Sequence, residues 1–251
     1  MTEILPLDRL LQTPVALLLC YPRFDAGEAE RRLRELRALG VEALELRGRH
    51  RIGDLPVLGK GHVGVVVAAR VGAASAALKI RRVDADRASF AAEAANLRMA
   101  NRVSVGPRLL AASANFLMME LIEGDYLTDW IEGLAPSEAG RLRSVLRRLL
   151  DKARRLDRIG LDHGELSRAH RHVIVAGDEP RIIDFESAST DRRVSNVTSL
   201  AQYLYFNRQM RSKVGRILTT ETEALLRALR RYKRSPTDQT FRSLLGVCGL
   251  A

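Results

Sequence analysis

Three glycines in LGKGHVGVVV, residues 58–67, fall at Gly59, Gly61 and Gly64 in a G-x-G-x-x-G spacing, which lets backbone N–H groups approach phosphate oxygens. Several phosphate loops share parts of this pattern. A Walker A loop requires Lys and then Ser or Thr directly after its last glycine, and Val65 stands there instead. A dinucleotide fingerprint requires a helix to open at the third glycine, whereas the β-branched Val65, Val66 and Val67 continue as a strand. What remains is a hairpin whose glycine tip folds over nucleotide phosphates, followed by a strand lysine for the α- and β-phosphates, or else a plain flexible turn. Lys79, fifteen residues beyond Gly64 in Ala77-Leu78-Lys79-Ile80, answers that requirement. A long ammonium needs a carboxylate to aim it, and Glu93 is the one acid in FAAEAANLRMA, residues 90–100. The bland alternatives are a lysine snorkelling from a strand end and a solvated glutamate.

Positioning those groups takes a hairpin, a further strand and a helix. Short strands are expected at 57–58 and 64–70, flanking the glycines, and at 76–80 after a Gly-Ala-Ala turn. The alanine-rich stretch 90–100 reads as a helix, and FLMMELI, 116–122, as a buried strand ending at Glu123-Gly124. HVIV (172–175), a GDEP turn and RIID (181–184) read as a hairpin within an otherwise helical remainder. Strands first and helices later, with a hinge near Gly124, predict a two-lobed α+β arrangement. Upstream, Pro14–Cys20 is expected as a strand, 26–39 as a helix stopped by Gly40, and 41–46 as a second strand. The expected division is therefore an accessory strand-helix-strand appendage at 1–48, a β-rich lobe at 49–123 and a mainly helical lobe at 124–251.

Composition limits the partners. With 251 residues, 46% of them apolar, the chain can bury a sizeable core. Its apolar run at 14–20 falls far short of the roughly 20 residues of a membrane span, so a cytoplasmic protein without a membrane partner is expected. Cys20 and Cys248 lack metal-ligand spacing and read as small buried hydrophobes. The net charge of +11 suits an acidic protein or RNA partner, but only five of the 41 basic residues are lysine, so much of the charge is arginine on solvated helical faces. Aromatic residues make up 5%, and none interleave with basic ones as a base-stacking surface would require.

The later motifs carry a family resemblance. HGEL at His163–Leu166, then HVIV, then IIDFE at Ile182–Glu186, resembles the catalytic loop and metal-binding strand of the protein-kinase fold, with 19 residues from Glu165 to Asp184. SNVTSLA, 195–201, resembles the helix that anchors the catalytic loop, with Asn196 expected as its N-cap. The resemblance spans residues 51 to about 206. It is closest to small atypical kinases of the RIO type and of the KEOPS tRNA-modification complex, and to archaeal predicted serine/threonine kinases carrying HGEL and IDFE. It implies ATP with Mg²⁺ or Mn²⁺ as cofactors and a protein substrate. Gly59, Lys60, Gly61, Gly64 and Val66 would line the ATP phosphates, and Lys79, held by Glu93, would bind them. Met119 resembles the gatekeeper, and the backbone of Glu120 and Ile122 would receive the adenine. Asp184 would bind the metal, and Glu165 would serve as catalytic base.

Three departures qualify what the resemblance implies. Glu165 replaces the usual aspartate, moving the carboxylate by roughly 1 Å. His170 stands where the asparagine for a second metal is expected; its imidazole would either favour Mn²⁺ over Mg²⁺ there or simply hydrogen-bond the loop. Gly164 replaces the arginine that reads a phosphorylated activation loop, Glu186 replaces the glycine of D-F-G, and only eleven residues separate Asp184 from Ser195. An atypical serine/threonine protein kinase capable of autophosphorylation is thus expected, not switched by loop phosphorylation. A nucleotide-binding pseudokinase or slow ATPase acting as a switch in a protein or ribonucleoprotein assembly is the alternative. A small-molecule kinase of the aminoglycoside phosphotransferase kind is a third, disfavoured by the short helical remainder.

Overall fold

The computed structural model describes residues 3–251. The fold is α+β, with antiparallel sheets and helices, in two compact units. The first unit takes the chain up to Arg98 together with Pro107–Leu121, and the second takes Met99–Gly106 and Ile122–Ala251.

In the first unit, β1 (Glu3–Pro6), α1 (Leu17–Cys20), α2 (Ala26–Ala38) and β2 (Ala43–Leu46) precede the small hairpin β3 (His50–Ile52) and β4 (Leu55–Val57). There follow β5 (Gly59–Lys60), β6 (Gly64–Val71), β7 (Ala74–Arg81), α3 (Ala91–Arg102, shared with the second unit), β8 (Leu109–Ala112) and β9 (Phe116–Glu120). The main sheet runs β1-β2-β6-β7-β9-β8, with β5 also pairing β6. Val66 lies opposite Lys79, and Lys79 opposite Leu117, so Lys79 has a strand on either side.

The strand expected at Pro14–Cys20 is helical: Pro14–Ala16 form a 3-10 turn and Leu17–Cys20 an α-turn. Proline suits a first helical position, and Leu17, Leu18 and Leu19 are good helix formers without β-branching. The opening strand is instead Glu3–Pro6. Residues 1–48 do not stand apart as an appendage either, because β2 pairs β6 with Ala43 opposite Arg70. Leu18, Leu19, Leu33, Leu36 and Leu44 share one core with Val65, Leu78 and Phe116.

Arg32 of α2 is 0% exposed within this core. Its guanidinium donates to Glu28 Oε1 (2.6 Å), the Leu19 carbonyl (2.7 Å), Asn115 Oδ1 (3.1 Å) and the Arg81 carbonyl, tying α2 to the ends of α1 and β7. Arg32→Ala would take the donor from the buried Leu19 carbonyl and leave a cavity in the core, although Glu28 keeps Arg31 and Asn115 keeps Arg81. It is expected to cost about 3–5 kcal/mol, read as a lower denaturation midpoint; a change below about 0.5 kcal/mol, usual for surface sites, would contradict the bracing role.

The second unit holds the small sheet β10-β11-β12, from Asp125–Tyr126, Val173–Ala176 and Glu179–Ile182. Around it are α4 (Leu127–Glu132), α5 (Ala139–Arg158), α6 (Asn196–Phe206), α7 (Arg208–Gly215), α8 (Thr222–Arg234) and α9 (Asp238–Val247). In α5, Leu142, Val145, Leu146, Leu149, Leu150, Ala153 and Leu156 recur at helical spacing and are all buried. Gly124 is required by close approach, since a Cβ there would lie 2.3 Å from the Val175 carbonyl oxygen. No helix among the described residues is long and apolar enough to cross a membrane. Both cysteines are free and buried.

Candidate functional site

In the first unit, the tip between β5 and β6 is closed by Gly61 N–H donating to the Gly64 carbonyl at 2.8 Å. Of the three spaced glycines, only Gly64 is sterically required: a Cβ there would meet the Ile80 carbonyl oxygen at 2.9 Å and the Lys79 stem at 3.1 Å. A Cβ at Gly59 or Gly61 would find only ordinary or slightly tight contacts. Gly64 therefore makes room for Lys79 to pass across the base of the loop. The ammonium ends on both oxygens of Glu93, at 2.8 and 2.9 Å, and lies 5.6 Å from the Phe90 ring centroid. Lys79 is 5% and Glu93 3% exposed, so neither the snorkelling lysine nor the solvated glutamate describes them.

The other residues expected around a nucleotide lie nearby in sequence and sheet. Lys60 is exposed, with its ammonium 5.1 Å above the Tyr21 ring, and Val66 is half-buried opposite Lys79. Met119 and Glu120 end β9, where Glu120 N–H donates to the Arg108 carbonyl at 2.8 Å. Ile122 falls in the second unit.

In the second unit, His163 is the fixed point. Its backbone N–H donates to Asn196 Oδ1 (2.8 Å), Nε2 meets the Ile183 carbonyl (3.0 Å), and its ring stands edge-on to Phe185 at 5.0 Å. Asn196 does not cap α6 as expected. It is the first helical residue, buried, and its amide donates to Asp157 Oδ1 and the Leu161 carbonyl, with Ser195 in the position before the helix. A buried side chain with three internal partners holds the His163 backbone more firmly than a solvent-facing cap would.

The His163 ring is neutral, its pKa pushed down to about 4 by burial, with neighbouring His172 acting in the same direction. The Ile183 carbonyl fixes the proton on Nε2, leaving Nδ1 to accept from Glu165 N–H at 3.4 Å. Between the folded value and the ordinary 6.5, the unfolded chain binds more protons, so stability must rise with pH across that window. The His163 contribution is expected to be on the order of 3 kcal/mol, lost as pH falls from about 6.5 to about 4. Denaturant titrations across pH, beside His163→Asn, check this; parallel curves would assign the dependence elsewhere.

Glu165 is held at both oxygens. Oε1 accepts from Ser187 Oγ at 3.2 Å, while Oε2 pairs with Arg168 at 3.0 Å and lies 3.7 Å from His172 Nε2. Asp184 occupies the left-handed region at φ 66°, a conformation Asp tolerates better than most residues, and its Oδ2 lies 3.7 Å from His172 Nδ1. A carboxylate oxygen of Glu186 lies within 4.8 Å of one from Asp184.

His170 is not the histidine brought to these carboxylates. Leu166–Arg171 form a 3-10 segment kinked at Arg168, which turns the His170 ring onto Tyr203 of α6, 6.1 Å away and nearly parallel. His172, two residues on, stands between Glu165 and Asp184, with burial lowering its pKa and its Nδ1 lacking a hydrogen-bond partner. Counting a fixed interval from His163 leads to His170, whereas register against the strand singles out His172, the residue directly before β11. Glu186 was also missed as a donor because it was weighed only as a replacement for glycine.

These donors fit a hard divalent cation. Asp184 and Glu186 offer carboxylate oxygens within 4.8 Å of one another, the donor type such a cation takes. No protein-family model matches the chain, and no curated protein matches it.

Proposed function

We propose that the chain is an ATP-dependent atypical serine/threonine protein kinase with a two-lobed protein-kinase-like fold. The first unit would be the nucleotide-holding lobe and the second the catalytic lobe. The observation that carries this reading is the buried Lys79–Glu93 pair beneath a glycine-tipped hairpin. A buried ion pair is a poor source of stability, so its retention calls for another reason. An ammonium aimed at phosphate oxygens supplies one.

When bound, ATP would supply the phosphoryl group, and Mg²⁺ or Mn²⁺ would offset the charge on its oxygens. Lys79, fixed by Glu93, would orient the phosphates beneath the glycine loop from Gly59 to Gly64. Asp184, with Glu186, would hold the cation. Glu165 takes the proton of the acceptor hydroxyl as its oxygen bonds to phosphorus and the bond to the ADP oxygen breaks. Ser187 and Arg168 fix both Glu165 oxygens, which offsets the extra methylene relative to aspartate.

The test is phosphate transfer from γ-labelled ATP to the purified protein and to a generic acceptor such as casein, with Mg²⁺ and Mn²⁺ in parallel. Transfer supports the reading. ATP binding without transfer in either metal would replace it with a nucleotide-sensing switch.

A further inference from the structure

The segment that follows Asp184 is fastened to the catalytic loop by groups the proposed chemistry does not use. Asp162 is buried, and Asp162 and Ser189 exchange two backbone hydrogen bonds of 2.9 Å. The Asp162 carboxylate accepts from Ser195 N–H (2.9 Å) and Oγ (3.2 Å) on one oxygen, and from Arg192 Nε (3.1 Å) on the other. Arg192 Nη2 also donates to the Ser187 carbonyl (2.6 Å) and the Asp162 carbonyl (3.4 Å). The guanidinium lies over Gly164, at φ 85°, where a Cβ would come within 2.5 Å of Nη2 and 2.8 Å of the Ser187 carbonyl oxygen. From Ser187 the connection continues to Glu165, through the 3.2 Å hydroxyl bond.

We infer that Arg192 is a positioning residue for Glu165, acting through Ser187, and that it keeps residues 184–195 in their working arrangement without any modification. The role within a reaction rests on the kinase reading. A regulated arrangement would place the arginine on the catalytic loop and add a phosphate to the segment. Here the carboxylate belongs to the loop as Asp162, the arginine belongs to the segment, and glycine at 164 keeps the space between them open. Arg192 is about half exposed, and a solvent-facing pair with Asp162 alone would contribute little. Its fork also serves the Ser187 carbonyl, and that contact orients the hydroxyl on Glu165. A lysine could satisfy one of these partners but not both in the same geometry.

The experiment compares steady-state ADP release and phosphate transfer by the full chain with those of Arg192→Ala, Arg192→Lys and Gly164→Ala, alongside melting temperatures and amide exchange at 187–189. The expected result is a kcat lower by about ten- to a hundredfold in all three. KM for ATP should be unchanged and exchange faster at 187–189; melting should stay close to that of the unaltered protein in the two Arg192 variants and fall in Gly164→Ala, where the new Cβ meets the Ser187 carbonyl at a positive φ. Undiminished kcat in Arg192→Ala, full rescue by lysine, or a loss no greater than the unfolded fraction would overturn the positioning role alone. An unaltered protein that releases no ADP and transfers no phosphate would remove the kinase reading, and the role with it.

Discussion

On the proposed kinase reading, Lys79→Met combined with Glu93→Leu is expected to lower phosphate transfer by about a hundred- to a thousandfold while leaving the protein about as stable as before. The two single variants should behave differently. Each leaves a charge buried at a site where Lys79 and Glu93 are 5% and 3% exposed, so each should lose about 3–5 kcal/mol of folding stability. Replacing both with apolar side chains of similar volume removes the stranded charge and should bring stability back to within about 1–2 kcal/mol of the starting value. Transfer would stay lower by about a hundred- to a thousandfold in the double variant, because one preorganised cation facing the phosphates is gone. Denaturant titration and labelled-ATP transfer on the same four proteins decide the matter. A double variant that regains activity along with stability would make the pair a structural element and nothing more.

The carboxylates of the second unit yield the other large effect. Glu165→Gln preserves shape and removes the proposed base, with an expected loss of about a hundred- to ten-thousandfold in kcat. Asp184→Asn should lose transfer to a similar extent, and its interpretation is clean because asparagine tolerates the left-handed backbone at φ 66° as well as aspartate does. An unchanged fold can therefore be expected, and the loss assigned to charge. Glu165→Asp is informative in the opposite direction. The shorter side chain should withdraw from Ser187 and Arg168, so it should not improve on glutamate despite resembling the more usual base. Equal rates in Glu165→Gln and the unaltered protein would remove Glu165 from the chemistry.

Local pattern carried the strands around the glycines. Gly64–Val71 and Ala74–Arg81 are runs of valine, alanine and leucine between turn residues, and such a signal survives whatever packs against it. The alanine-rich helix at 91–102 was legible for the same reason, as was Glu93 as the partner of Lys79, since one acid in an apolar stretch needs a counter-charge. The seven residues Pro14–Cys20 misled because a short continuous apolar run has no period, and a buried helical turn and a buried strand look alike in it. His172 was hidden by the 3-10 kink at Arg168, a change of rise that counting along the chain does not register. The Asp162–Arg192–Ser187 connection and the four acceptors around Arg32 lay beyond sequence reading altogether. Each joins residues brought together only by the fold, and a chain rich in arginine gives no hint of which guanidinium is buried.

The place of β1 and β2 has a consequence for solubility. β2 pairs the side of β6 at Ala68, Ala69 and Arg70, and β1 pairs β2 in turn, so the sheet margin lies at the four-residue strand β1 instead of at β6. An uncovered margin of small, flat residues is a template on which another chain can extend the sheet, the first step toward intermolecular aggregation. β1 and β2 thus replace a long margin with a short one, Glu3–Pro6, which ends in a proline that cannot donate to an added strand, whereas a chain begun at residue 49 would expose the longer margin of β6.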